Sequence, residues 1–189
     1  MKKHYRISLN SPVILSFAAA ACAALVINTV TFGQANRMYF SVYSSPWSNP
    51  MTFVRLFGHV LGHSGVMHLV NNMMYILLVG PTVEDHFGHG ATALAIFITA
   101  AVTGLAVMLF MPGTALLGAS GIVFAMIMMS AAVGFKEGDI PLTFILVAVL
   151  YLGQQVYQGM AVSDNISQLT HIIGGVVGMV FAFVYNRKR

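Results

Sequence analysis

The sequence predicts an all-α membrane protein: a bundle of six transmembrane helices, both termini cytoplasmic. Three observations lead there. Hydrophobic residues make up 58% of the 189 and charged residues only 7%, against about 25% charged in an ordinary soluble domain. The apolar residues fall into six long runs, each close to the roughly 20 residues that cross the hydrocarbon. Lys2, Lys3, Arg6, Lys136, Arg187, Lys188 and Arg189 collect at the ends and in one inner connection, leaving Arg37 and Arg55 on the opposite side. By the positive-inside rule both ends then face the cytoplasm.

The runs justify themselves in order. Residues 1–11 are polar and basic, and the first span is expected over 12–31. A basic start before an apolar stretch is also the pattern of a signal peptide. This run exceeds the 7–15 residues of a typical signal core, so it reads as a retained span. Further spans are expected over 67–83, 91–111, 115–135, 140–158 and 166–186. Connections are short except the first, 32–66, whose aromatics and prolines (Tyr39, Phe40, Tyr43, Pro46, Trp47, Pro50) suit a loop lying in the interface. No internal repeat is evident. Residues 1–189 read as a single membrane domain, and the lone Cys22 excludes an internal disulfide. The net charge of +4 reports membrane orientation, not nucleic-acid binding.

Polar groups within spans are expensive and mark function. Spans two, four and six all start from the outer face, and each carries a polar group near its start: His68 and Asn72, then Ser120, then His171. Asn72, Ser120 and His171 each lie about five residues down, or roughly 8 Å at about 1.5 Å per residue. His68 and Asn72, four apart, share a helix face. On span six, His171 shares a stripe with Gly174 or Gly175, Gly178 and Ala182, a small-residue seam that admits a neighbouring backbone. If that neighbour is span four, with Gly118 and Gly121, His171 is carried to Ser120. A serine hydroxyl is a weak nucleophile until a general base takes its proton. Acyl transfer also needs donors at the developing oxyanion, for which His68, Asn72 and the Ser120 backbone N–H are candidates. No acidic residue at that depth could orient His171, so a dyad is expected. Taken alone, Gly118-Ala119-Ser120-Gly121 would be an ordinary packing motif, and His68 with Asn72 interhelical glue.

These residues resemble the rhomboid intramembrane serine proteases. The matching segments are His63 to Asn72 (HSGVMHLVNN), Gly80-x-x-x-Glu84-x-x-x-Gly88, Gly118-Ala119-Ser120-Gly121 and His171-x-x-Gly174-x-x-x-Gly178. The resemblance implies a six-helix bundle of rhomboid type, with Ser120 as nucleophile, His171 as general base, and His68, Asn72 and Ser120 at the oxyanion. It implies structural roles for Arg55, His63 and Glu84, and cleavage of transmembrane helices of single-span or multi-span proteins near their outer end, without cofactor or metal. A movable cap over about 157–165 and lateral access past span five are further implications. Two positions depart from the family pattern: Val54, where tryptophan often precedes the arginine, and Phe124, where tyrosine often follows the nucleophile by one turn.

Other readings are weaker. His59, His63, His86 and His89 contain no His-Glu-x-x-His zinc motif, so metal catalysis is not expected; His59 and His63 are expected to hydrogen-bond within the first loop. Transporters often show repeated halves and interrupted helices, and neither is visible. A catalytically silent relative that binds client helices is the remaining alternative, although this chain has both Ser120 and His171. Short termini without a transit segment fit a bacterial plasma membrane, with the active site opening to the outer face.

Overall fold

The structure, a computed structural model, describes residues 9–134, 139–161 and 165–186. The first helix, α1 (Pro12–Val30), opens with proline at its first position, where the missing N–H costs nothing. Ser11 does not cap it through its side chain. Glu84 does so from another helix, α4 (Val66–Phe87): one carboxylate oxygen accepts the Val13 N–H and the other the Ile14 N–H, both at 3.0 Å. A buried carboxylate is thereby matched to the positive end of a helix dipole. His89 Nδ1 adds a third contact at 2.6 Å. The α1–α4 crossing is close, since a Cβ at Gly80 would stand 2.7 Å from the Ile14 side chain.

The expected interfacial loop 32–66 is largely ordered into short elements. These are α2 (Gln34–Met38), β1 (Val42–Tyr43) and α3 (Pro50–Gly58), with a 3₁₀ turn at His59–Leu61. Asn49 Oδ1 caps α3 by accepting the Met51 N–H at 3.0 Å. Helix α3 buries Thr52, Arg55 and Leu56 while Phe53 and Val54 stay exposed. It lies on α5 (His89–Phe110) where Gly104 leaves room, a Cβ there being 2.8 Å from Leu56.

Helices α4 and α5 run closer together than expected. Only Gly88, at φ +85°, separates them, so the polar 84–90 segment is not a loop. Glu84 can remain helical because α1 and His89 satisfy it. Within α5, Thr92, Thr99 and Thr103 are buried, each donating its hydroxyl to the carbonyl four residues back.

The expected fourth span, 115–135, requires correction. Helix α6 is Ser120–Ala131, and Ala115–Leu116 form a strand, β2, antiparallel to β1. Gly113 at φ +84° and Gly118 at φ +130° hold conformations unfit for a helix. The Gly118 N–H donates to His59 O at 2.9 Å, pinning the extended approach to the first loop. Twelve residues reach only about 18 Å, short of the ~30 Å hydrocarbon core. The N-terminus of α6 therefore starts inside the protein, with Ala119 fully buried.

The chain finishes with α7 (Leu142–Ala161) and α8 (Asn165–Asn186). Among the described residues, four helical segments are long and apolar enough to cross a membrane: Pro12–Val30, Val66–Phe87, His89–Phe110 and Gln168–Tyr185. The core runs between them, with Ile14, Ile76, Ile122, Met126, Met128 and Met129 fully buried.

Candidate active site

The site assembles where α4, α6 and α8 meet below the first loop. Ser120 is the first residue of α6, not a residue five positions into a span. Its backbone N–H is one of the groups a helix leaves without an internal partner, at the positive end of the dipole.

The backbones of α6 and α8 touch. A Cβ on Gly174 would collide with Gly121 O, and one on Gly178 with Ala125 O. Gly121 in turn faces Thr170 O, 3.6 Å from where its own Cβ would stand. His171 is thus set beside the first turn of α6, and its ring lies 4.5 Å from that of Phe124, one turn past Ser120. Of the two glycines considered for the seam, Gly174 makes this contact.

From the other side, α4 brings His68 and Asn72 against Gly118. A Cβ at Gly118 would lie 2.9 Å from His68 Nε2 and 3.9 Å from Asn72 Nδ2, so only glycine fits here. Asn72 is buried, and its Nδ2 has no hydrogen-bond partner among the described residues. An unpaired buried donor costs about 1–3 kcal/mol, which a negatively charged oxygen placed there would recover.

The tautomer of His68 follows from Ser64. Both the Ser64 N–H, at 3.4 Å, and its hydroxyl, at 3.1 Å, approach His68 Nδ1. A backbone N–H can only donate, so Nδ1 accepts and the ring proton sits on Nε2, facing Gly118. Sequence spacing gave no sign of this contact. The only available cue was that Ser64 and His68 are four apart across a helix start.

The first loop supports the site through two buried histidines. His59 Nδ1–H donates to Leu56 O at 3.0 Å, and Nε2 faces the Thr103 hydroxyl at 3.3 Å. His59 therefore reaches beyond its own loop, to α5 through its ring and to Gly118 through its carbonyl. His63 Nδ1–H donates to Leu61 O at 3.0 Å, and its ring packs edge-on to His68 at 5.0 Å. Asn36 Nδ2 holds the His63 carbonyl at 2.9 Å. Burial lowers both imidazole pKa values to about 4, so both rings are neutral at pH 7.

Arg55 is buried under the first loop, donating to Ser45 Oγ at 3.1 Å and Thr52 Oγ1 at 3.4 Å, with its guanidinium 4.6 Å from the Tyr43 ring centre. Val54 points outward, so loop anchoring runs through Arg55 and does not use the departing position. Glu84 lies away from Ser120, at the start of α1. No cluster of three potential metal ligands occurs among the described residues. The expected cap over 157–165 falls partly outside those residues, which omit 162–164.

A family model described as "Rhomboid domain" matches residues 50–188. The chain is 26% identical over 182 residues to "Rhomboid protease GlpG" of Pectobacterium atrosepticum, covering 93% of this chain and 64% of that protein. It is 24% identical over 174 residues to the protein of the same name in Serratia proteamaculans, covering 90% and 62%. The chain thus spans a little under two thirds of these two relatives. A third, "Rhomboid protease GlpG" of Haemophilus influenzae, is 24% identical over 176 residues, with coverage of 90% and 89%. The matched region contains the helices that carry the candidate site residues, from α3 to α8, and the chain belongs to the rhomboid family.

Proposed function

We propose that this chain is an intramembrane serine endopeptidase acting on transmembrane helices of other membrane proteins near their outer end. The observation that carries the reading is the convergence at Gly118. His68 Nε2 and the unpartnered Asn72 amide meet there, two residues before a serine that heads a helix. Three donors, with the Ser120 N–H as the third, surround a place where negative charge can develop.

In this mechanism Ser120 Oγ attacks the scissile carbonyl carbon while His171 takes its proton. The carbonyl oxygen becomes an oxyanion held by His68, Asn72 and the Ser120 N–H. Collapse breaks the C–N bond, and His171 returns the proton to the leaving amine. Water, deprotonated by His171, then hydrolyses the acyl-enzyme and restores Ser120. The Ser120–His171 hydrogen bond is the element this proposal adds to the adjacency of α6 and α8; such bonds often tighten only when substrate is bound. Phe124 supports the imidazole by packing, without a hydroxyl of its own.

The proposed setting is one membrane domain with six spans, α6 completing its span with the extended segment before it. Both termini face the cytoplasm and the site opens to the outer face of a bacterial plasma membrane. A helical peptide bond is shielded from attack, so helices that unwind readily near their outer end are the expected substrates. Incubation of a single-span substrate with wild type and Ser120→Ala in detergent tests the reading. Cleavage by wild type alone is expected, whereas equal cleavage by both would overturn it.

A further inference from the structure

A cavity of about 580 Å³ lies between the α2–β1 segment and the connection from α5 to β2, lined in part by Gly33, Asn36, Arg37, Tyr43 and Gly113. We propose that it binds the phosphate-bearing headgroup of a phospholipid from the leaflet at that end of the bundle. This site is independent of the protease reading.

The chemistry starts with unbalanced positive charge. Arg37 is exposed and forms no ion pair among the described residues. Behind Tyr43, the buried guanidinium of Arg55 meets hydroxyls and the aromatic ring, and among the described residues its Nε has no hydrogen-bond partner. The chain has no Asp or Glu before Glu84, and none from 86 to 136. Neither the first loop nor the segment leading to Ser120 can therefore supply a carboxylate. Buried charge is ordinarily paired, and a phosphate in the cavity would supply the missing counter-charge with Arg37 as direct ligand.

Asn36 provides the complementary group. Its Nδ2 is committed to His63 O at 2.9 Å, which fixes the amide orientation and leaves Oδ1 as an acceptor. That oxygen is buried and unpartnered among the described residues. A cation and an acceptor lining one cavity match a headgroup carrying both phosphate and a donor, as phosphoethanolamine and phosphoglycerol do.

The surroundings favour a lipid over a soluble anion. Phe32, 95% exposed, directly precedes Gly33, and Leu109 and Phe110, the latter 75% exposed, end α5 just before Gly113. They sit at the ends of two helices apolar enough to cross a membrane, where acyl chains could lie along them. A free anion would leave that apolar surface unused. At Gly33 and Gly113 the positive φ values turn the chain, and nothing lies within 4 Å of either Cβ position, so the cavity stays open. Tyr43 and Ala115, paired across β1 and β2, both line it. A bound headgroup would thus brace the first loop against the approach to Ser120.

The full chain, delipidated in dodecyl maltoside, is titrated with dihexanoyl phosphatidylethanolamine or phosphatidylglycerol below micelle-forming concentrations. Binding is followed by native mass spectrometry and by thermal unfolding. Wild type should bind one lipid and unfold at higher temperature. Arg37→Gln should bind at least about tenfold more weakly and Arg37→Lys should recover part of the loss, with all three equally folded before lipid is added. Inorganic phosphate and an acidic peptide at matched concentration should neither stabilise the protein nor displace the lipid. Equal lipid binding by Arg37→Gln would overturn the assignment. So would phosphate matching the lipid, which would make this a free-anion site, or displacement by the acidic peptide, which would make it a peptide site.

Discussion

Asn72→Ala tests whether a buried amide that stabilises nothing visible in the resting structure is held for the reaction. Its Nδ2 has no hydrogen-bond partner among the described residues and faces Gly118. Truncation relieves an unsatisfied donor worth about 1–3 kcal/mol and leaves a small void of similar cost. Net stability should change by no more than about 1 kcal/mol, or roughly 2–4 °C in Tm for a chain of this size. If the amide meets the oxyanion, turnover should fall about 10²- to 10³-fold, or roughly 2.7–4 kcal/mol on the barrier. Asn72→Asp should be worse, because an ionised carboxylate accepts only and repels the developing charge. The assay pairs kcat on a fluorogenic transmembrane substrate with thermal unfolding of the same preparation. Near-normal turnover in Asn72→Ala would refute the reasoning. A large fall in Tm that accounts for the lost activity through the folded fraction would refute it equally.

Gly174→Ala places a methyl against Gly121 O and Gly178→Leu a larger group against Ala125 O; each should cost about 1–3 kcal/mol or more in thermal unfolding. The first should lower kcat further than its stability loss explains, because it moves His171. Ser64→Ala frees His68 Nδ1 and should reduce kcat about tenfold with unchanged Tm, and Ser64→Thr should restore most of it. Glu84→Ala strands the N–H groups of Val13 and Ile14 and should destabilise by about 2–4 kcal/mol, read by denaturant or heat, with Glu84→Gln milder. Acid should destabilise the first loop. His59 and His63 have folded pKa values near 4, below the unfolded 6.5, so the unfolded chain binds more protons between the two. Their contribution is complete above pH 6.5 and is lost as pH falls towards 4, about 3 kcal/mol for His59 alone. An unfolding midpoint flat from pH 7 to 4 would contradict this.

The sequence made the long apolar helices legible because hydropathy and length are local properties; α1, α5 and α8 lie within two residues of the expected bounds. Span four misled because Ala115, Leu116 and Leu117 are as apolar as a helix, and only Gly113 and Gly118 mark the extended backbone. Gly118 reads as a packing glycine, and in the structure it supplies a positive φ, as Gly113 does. The depth match of Asn72, Ser120 and His171 came from counting along a helix that does not yet exist at residue 119. What sets the start of α6 is the strand pairing and the His59 contact. The structural role of Glu84 is implied by the family resemblance, but its partners, the N–H groups of Val13 and Ile14, are some 70 residues away and no local pattern shows them. Thr103 has no motif to announce it, and Ser64, although inside the His63–Asn72 segment, carries no signal of its contact with His68, since each acts through one imidazole nitrogen.

The central claim is that Ser120 is an activated nucleophile, and covalent labelling tests it most directly. Wild-type protein in detergent is treated with a fluorophosphonate and the adduct located by peptide mass spectrometry. Stoichiometric modification of Ser120, abolished in His171→Ala while the protein stays folded, is the predicted result. Folded wild type that resists labelling, or that carries the adduct on another residue, would contradict the account.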